Sequence, residues 1–131
     1  MVSKHGGPFD YHVDLSDPFR LVDGANQLMA VGSMMLTPRP ESIFDIGLGM
    51  GCLPRHFLNR YANLRIKSTD TDYKVIQNFG EMNSVYFGKN NRVQAQISRL
   101  SITPSDSLVL LETVYQKEIF DVAWIDILDE R

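Results

Sequence analysis

The sequence predicts an α/β domain built on a parallel sheet, and three observations carry that reading. From Ser42 onward, short apolar strands alternate with segments of helical spacing. Glycines crowd the first strand-to-helix junction, at Gly47, Gly49 and Gly51. The last strand, Phe120 to Leu128, is apolar almost throughout, as expected where both faces of a parallel sheet are covered. Strand–helix alternation implies right-handed crossovers and hence parallel strands.

The elements follow in order. Residues 1–8 are polar and Gly-rich and read as a flexible tail. Residues 9–41 read as an N-terminal strand and helix. Phe9, Tyr11, Val13 and Leu15 alternate with polar residues, the period of a half-buried strand. Ser16 or Asp17 caps a helix with Pro18 in its first turn, running to about Leu36. Leu21, Ala25, Leu28, Gly32 and Met35 form its expected buried stripe, which Val22, Met29 and Leu36 broaden. Thr37 to Pro40 break it.

Residues 42–131 read as a nucleotide-binding region of the Rossmann-like kind. Ser42–Ile46 is the first strand and Leu53–Tyr61 a helix. Leu64–Thr69 is the second strand, and Val75, Ile76, Phe79 and Met82 mark a second helix. Arg92–Ile97 alternates and reads as the third strand, after a Gly/Asn-rich loop at 86–91. Thr103 and Pro104 look like the start of a helix through Leu108, Leu111 and Tyr115.

Composition bounds the function. The chain has 131 residues, enough for one domain, with 44 % apolar residues, 22 % charged residues and a net charge of −3. No Lys/Arg run marks a nucleic-acid surface, and no window has the length of a membrane span or signal peptide. The single cysteine, Cys52, allows no intrachain disulfide, so a reducing, cytoplasmic setting is expected.

Asp45-Ile46-Gly47-Leu48-Gly49-Met50-Gly51 sits where a strand enters a helix. Glycines there let the backbone turn sharply and approach a ligand closely, beneath the N–H groups of the helix that follows. The dinucleotide fingerprint fails, because Cys52 or Pro54 stands where its third glycine is needed. A P-loop fails too, for want of Gly-Lys-Ser/Thr. The remaining D-x-G-x-G-x-G resembles the first motif of class I S-adenosylmethionine-dependent enzymes. Asp70 ends the second strand, where an acid accepts hydrogen bonds from ribose hydroxyls, and Thr71 follows it. Asp45, Gly47, Gly49, Gly51, Asp70 and Thr71 are therefore the candidate cofactor-binding set. The plain alternative is a glycine-rich turn beside a solvated carboxylate.

A wider resemblance joins these motifs. Asp14-Leu15-Ser16-Asp17-Pro18, the Met-containing helix, Gly47-Leu48-Gly49-Met50-Gly51-Cys52-Leu53, "STDTDYKVI" and "FDVAWIDILD" closely resemble the spermidine synthase-like proteins. The resemblance covers Val13 to Asp129. It implies the class I methyltransferase fold with strand order 3-2-1-4, preceded by the N-terminal strand and helix, with the C-terminal half of the usual fold missing. It also implies aminopropyl transfer from decarboxylated S-adenosylmethionine, or use of S-adenosylmethionine itself, with no metal and a small-molecule amine as acceptor. Asp126 and Asp129 match the family's Asp-x-x-Asp. By resemblance Asp126 is the catalytic base and Asp129 anchors the substrate, because an attacking amine must be held in line and lose a proton.

The chain also departs from the pattern. Ser98-Arg99-Leu100 stand where the family has an adenine-binding acid, Met50 replaces the middle loop glycine, and Glu130 replaces a proline. Losing one bond to the adenine amino group costs about 1 kcal/mol. A methyltransferase on the same fold, or a truncated, non-catalytic module, are the competing readings.

Other residues read more plainly. Cys52 reads as a small packing residue, although a helix N-terminus can lower a thiol pKa. His5, His12 and His56 lack metal-ligand spacing, and His56 reads as helix surface. The methionines and Trp124 read as core. Asp23 and Gln27 could face a ligand or solvent. The last strand is followed only by "DER", which leaves its outer edge open. Either another copy covers that edge as a homo-oligomer, or the sequence is the front half of a larger protein, the reading preferred.

Overall fold

The computed structural model describes residues 2–4, 11–113 and 117–125. Strands β1 (Val2–Lys4) and β2 (Tyr11–Val13) pair antiparallel. Part of the segment read as a tail is thus a strand. The main sheet is parallel, and its four strands are β3 (Ser42–Ile46), β4 (Arg65–Thr69), β5 (Leu100–Thr103) and β6 (Val122–Ile125). They lie in the order β5-β4-β3-β6, which is the expected 3-2-1-4.

Register sorts the sheet into two unlike faces. Ile66, Ile43, Val122 and Trp124 point to one face, where they join Leu53, Phe57, Leu58, Met82 and Val93 in the main core. The helices on that side are α1 (Gly24–Leu36), α2 (Cys52–Arg60), α3 (Tyr73–Val85) and α4 (Asn91–Ile97). Phe44 and Ile46 point to the other face, against Leu110 of α5 (Ser107–Glu112) and Phe120. Ala123 and Ile125 share that second face and are exposed. Among the described residues β6 has β3 on one side and no strand on the other.

The helices correct the sequence reading in four places. Arg92–Ile97 is not the third strand but helix α4. Asn90 caps it, accepting from the N–H groups of Arg92 and Val93 at 3.1 Å each. Val93 and Ile97, four residues apart, then share the face that packs on the core. The third strand is Leu100–Thr103 instead.

Helix α1 starts later than expected. Asp17 closes a local turn with Phe19 and Arg20, and Asp23 is the true N-cap, accepting from Ala25 N–H at 3.1 Å. The buried stripe is rotated as well, with Leu28 and Met35 facing solvent and Ala30 and Ser33 inward. The reason is Trp124, whose Nε1–H donates to Ser33 Oγ at 2.8 Å and draws a hydroxyl to the interface. Helix α5 is capped by Asp106, not by Thr103.

His56 is not plain surface, for its Nδ1 donates to the Phe19 carbonyl at 2.8 Å and pins the N-terminal segment. Arg55 does the same from inside. It is 1 % exposed, donates to the Pro18 carbonyl and Asn83 Oδ1, and lies over the rings of Phe79 and Phe87. No described helix is long and apolar enough to cross a membrane.

Candidate functional site

The site begins where β3 runs out. Asp45 is 3 % exposed and accepts from Ser68 Oγ at 2.6 Å, which ties β3 to β4. Gly47 N–H donates to the Thr69 carbonyl at 2.9 Å, adding one more rung at the carboxyl end of the sheet. The chain then turns through Gly47, Gly49 and Gly51, with φ of +94°, +56° and +70°, values that favour glycine. Gly51 N–H closes the turn on the Leu48 carbonyl at 3.0 Å. A Cβ on Gly51 would stand 2.1 Å from the Phe79 ring, so packing alone demands glycine there. Gly51 also begins α2 without a side chain to cap it.

Asp70 holds the loop from behind. Its Oδ2 accepts from Leu48 N–H at 3.2 Å, and its Oδ1 from Asp72 N–H at 2.9 Å. Each carboxylate oxygen keeps a further lone pair for a hydroxyl donor. Asp72 in turn caps α3 through Lys74 N–H. Thr71 is exposed beside it.

A cleft opens on the other side of the loop. Asp23, the N-cap of α1, with Asn26 and Met29 forms one wall, and Asp45 with the residues from Gly47 to Met50 and from Cys52 to Pro54 forms the other. Asp70 and Thr71 are not among the residues lining this cleft, and Asp70 reaches the loop from the β4 side. Sequence reading weighed Asp23 but missed Asn26 and Met29, since the approach of α1 to the loop is set by the Trp124–Ser33 contact. Gln27 instead donates to the Leu21 carbonyl. Asp126 and Asp129 lie outside the described residues. β6 is described as far as Ile125, which pairs with Ile46 just before the loop.

The shifted third strand relocates the segment matched to the adenine acid. Ser98 and Arg99 precede β5 and sit at the amino end of the sheet. There the Arg99 guanidinium donates to the carbonyls of Leu58, Tyr61 and Leu64 at 2.6–2.8 Å. Partial burial, and then Arg65, lower its pKa from the ordinary arginine value. The residues that follow β5 are Pro104, Ser105 and Asp106, and the Ser105 carbonyl accepts from Thr69 Oγ1. An acid, Asp106, therefore does follow the third strand.

Cys52 is buried at the start of α2, and burial pushes its thiol pKa up. Its burial fits a packing role. Among the described residues no group of three His, Cys, Asp or Glu is placed to hold a metal.

Comparisons with protein-family models and with curated protein sequences gave no match. Solved structures did match. One, assigned as an O-methyltransferase from Klebsiella pneumoniae, aligns with TM-score 0.60 at 16 % identity, over 82 % of this chain and 45 % of its own. Another, assigned as a caffeoyl-CoA O-methyltransferase from Staphylococcus aureus, gives 0.55 at 17 %, over 80 % and 46 %. The plantazolicin methyltransferase BpumL, solved with SAH (S-adenosylhomocysteine), gives 0.51 at 16 %, over 76 % and 33 %. Nothing in the comparisons points to the spermidine synthase branch. The chain spans less than half the length of each of these three structures, and it has the Rossmann-like fold of class I S-adenosylmethionine-dependent methyltransferases.

Proposed function

We propose that this chain binds S-adenosylmethionine along the carboxyl end of its sheet and serves methyl transfer to an acceptor. The observation that carries the reading is the Leu48–Asp70 hydrogen bond. It joins a positive-φ glycine loop to an acid ending the next strand, so that one ligand can touch both. The methyltransferases of like fold support methyl transfer over aminopropyl transfer.

The residues present suit such a ligand. Asp70 retains acceptor capacity for ribose hydroxyls, with Thr71 beside it. The loop glycines put backbone rather than side chains against the nucleoside, though Met50 narrows the approach. The segment Ser105-Asp106, bound to β4 through Thr69, borders the adenine end. The cleft between α1 and the loop takes the amino-acid tail. S-adenosylmethionine supplies a methyl group on a sulfonium, activated for displacement. The chain's part is to hold that carbon in line with the acceptor and exclude water. Asp126 is proposed to take the proton of an amine or hydroxyl acceptor and Asp129 to orient it, both by resemblance.

Calorimetric titration of the purified chain separates the readings. S-adenosylmethionine, its decarboxylated form and methylthioadenosine are compared. The proposal expects the tightest binding for S-adenosylmethionine. Preference for the decarboxylated form would return the amine-transfer reading. Absence of binding for all three at millimolar concentration would leave a non-catalytic module.

A further inference from the structure

Among the described residues Arg55 is the one base buried in the core. Its hydrogen-bond acceptors are the Pro18 carbonyl at 3.3 Å, Asn83 Oδ1 at 3.5 Å and the sulfurs of Cys52 and Met82 at 3.8 and 4.0 Å, with no carboxylate among them. The ring centres of Phe79 and Phe87 lie 5.6 and 5.4 Å from its guanidinium carbon. A charge buried without a carboxylate is costly to keep, and an apolar side chain of like volume would fill the space as well or better. Filling the core therefore does not explain an arginine here. Its contacts do. On one side they reach Phe79, whose ring occupies the space a Cβ on Gly51 would take, and Cys52, which begins α2 and lines the cleft. The Arg55 backbone N–H also holds the Gly51 carbonyl at 3.0 Å. On the other side they reach Pro18, in the segment that leads into α1. His56, the next residue of α2, holds the Phe19 carbonyl beside it, and the Leu21 carbonyl further on accepts from Gln27 of α1 at 2.8 Å. That helix carries Asn26 and Met29, the far wall of the cleft. One buried side chain thus bridges the elements that bear the two walls.

We infer that Arg55 is a positioning residue, which sets the spacing between the glycine loop and α1 and so holds the cleft in its ligand-binding shape. The inference rests on the proposed nucleoside-binding reading of the site. Arg55 acts through Phe79 on the loop and through Pro18 on α1, without itself lining the cleft. A neutral side chain fills the same space but holds no carbonyl, and the two walls then move independently.

Arg55→Met tests this, because it removes the donors and keeps an unbranched side chain to fill the core. Wild type and variant are compared by calorimetric titration with S-adenosylmethionine, and by hydrogen exchange without ligand. Affinity is expected to fall about tenfold in the folded variant. Exchange should quicken about tenfold at amides on both walls, Leu48 and Gly51 on one and Ala25 and Gln27 on the other, and stay unchanged at Glu41 and Ser42. Arg99→Ala is the control, since it too strips an arginine from backbone carbonyls yet should leave affinity within about twofold. Arg55→Lys keeps the charge but lacks the planar fork, and it reads the same quantities should the Met variant fail to fold. Unchanged affinity in the Arg55 variants, an equal loss in Arg99→Ala, or quickened exchange at one wall only would overturn the inference and leave the wider reading intact. Exchange quickened alike across the whole chain would overturn it too, for Arg55 would then serve stability alone. If wild type does not bind S-adenosylmethionine, the wider reading falls and the inference with it.

Discussion

The two ends of the sheet use the same device for different purposes. At the amino end, Asp121 Oδ2 accepts from the N–H groups of Glu41 and Ser42, at 2.7 and 3.1 Å. At the carboxyl end, Asp70 accepts from Leu48 and Asp72. Each carboxylate thus takes two backbone donors. Their surroundings differ. The amino end also has Arg99, whose guanidinium is spent on three carbonyls where α2 gives way to β4. Asp121 and Arg99 there both serve the chain itself. The carboxyl end has glycines in place of side chains, a helix begun without a side-chain cap, and a cleft lined by acids. The contrast teaches where to look for a ligand: the strand ends that bind their own backbone are structural, and the end that keeps acceptors and bare backbone is the one to test for binding.

The largest effect expected at the carboxyl end comes from Gly51→Ala. The new methyl meets Phe79 at 2.1 Å, on a backbone with φ of +70°. A stability loss of about 3 kcal/mol is expected in denaturant unfolding, with nucleoside binding lost as well. Little change in either would show that Phe79 and the loop are not mutually constrained.

Arg99→Ala sharpens the contrast from the other end. It removes three charge-assisted bonds to carbonyls and should cost about 2 kcal/mol in the same unfolding experiment. Affinity for S-adenosylmethionine should stay within about twofold in the folded variant. A loss of affinity there would break the division between the two ends.

Asp70→Ala should do the reverse. Affinity falls about tenfold, while stability drops by about 1 kcal/mol through the loss of its bonds to Leu48 and Asp72. Unchanged affinity would remove Asp70 from the site.

The smallest effect is one of pH at Cys52. Burial keeps the thiol protonated in the folded chain, whereas the unfolded thiol ionises near its ordinary value of 9.0. The raised folded pKa therefore contributes stability that is present below pH 9.0 and lost as pH rises above it. Wild type and Cys52→Ala should run parallel below that value in unfolding experiments. Above it, wild type should fall more steeply; parallel profiles throughout would place the thiol in water.

Much of the carboxyl end was legible in the sequence because its signals are local. A glycine loop and an acid closing the next strand depend on a few adjacent residues, and Asp45, Gly47 and Asp70 stand where that spacing puts them. The parallel sheet followed from alternation of strands and helices, and its order from the family resemblance. What failed was phase and pairing. Arg92–Ile97 satisfies a strand period and a helix period at once, and only the Asn90 cap decides between them. The inward face of α1 is set by Trp124, 91 residues away from Ser33, a partner that no local pattern reveals. The role of Arg99 was hidden in the same way, since its three acceptors lie 35 to 41 residues away.

Hydrogen exchange with and without S-adenosylmethionine is the most direct test of the difference between the two ends. The account predicts slowed exchange at the amides of Gly47–Gly51 and of Asp72 when the ligand is saturating. The amides of Glu41, Ser42 and Leu64 should be unaffected. Protection at the amino end, or none at the glycine loop under saturation, would contradict it.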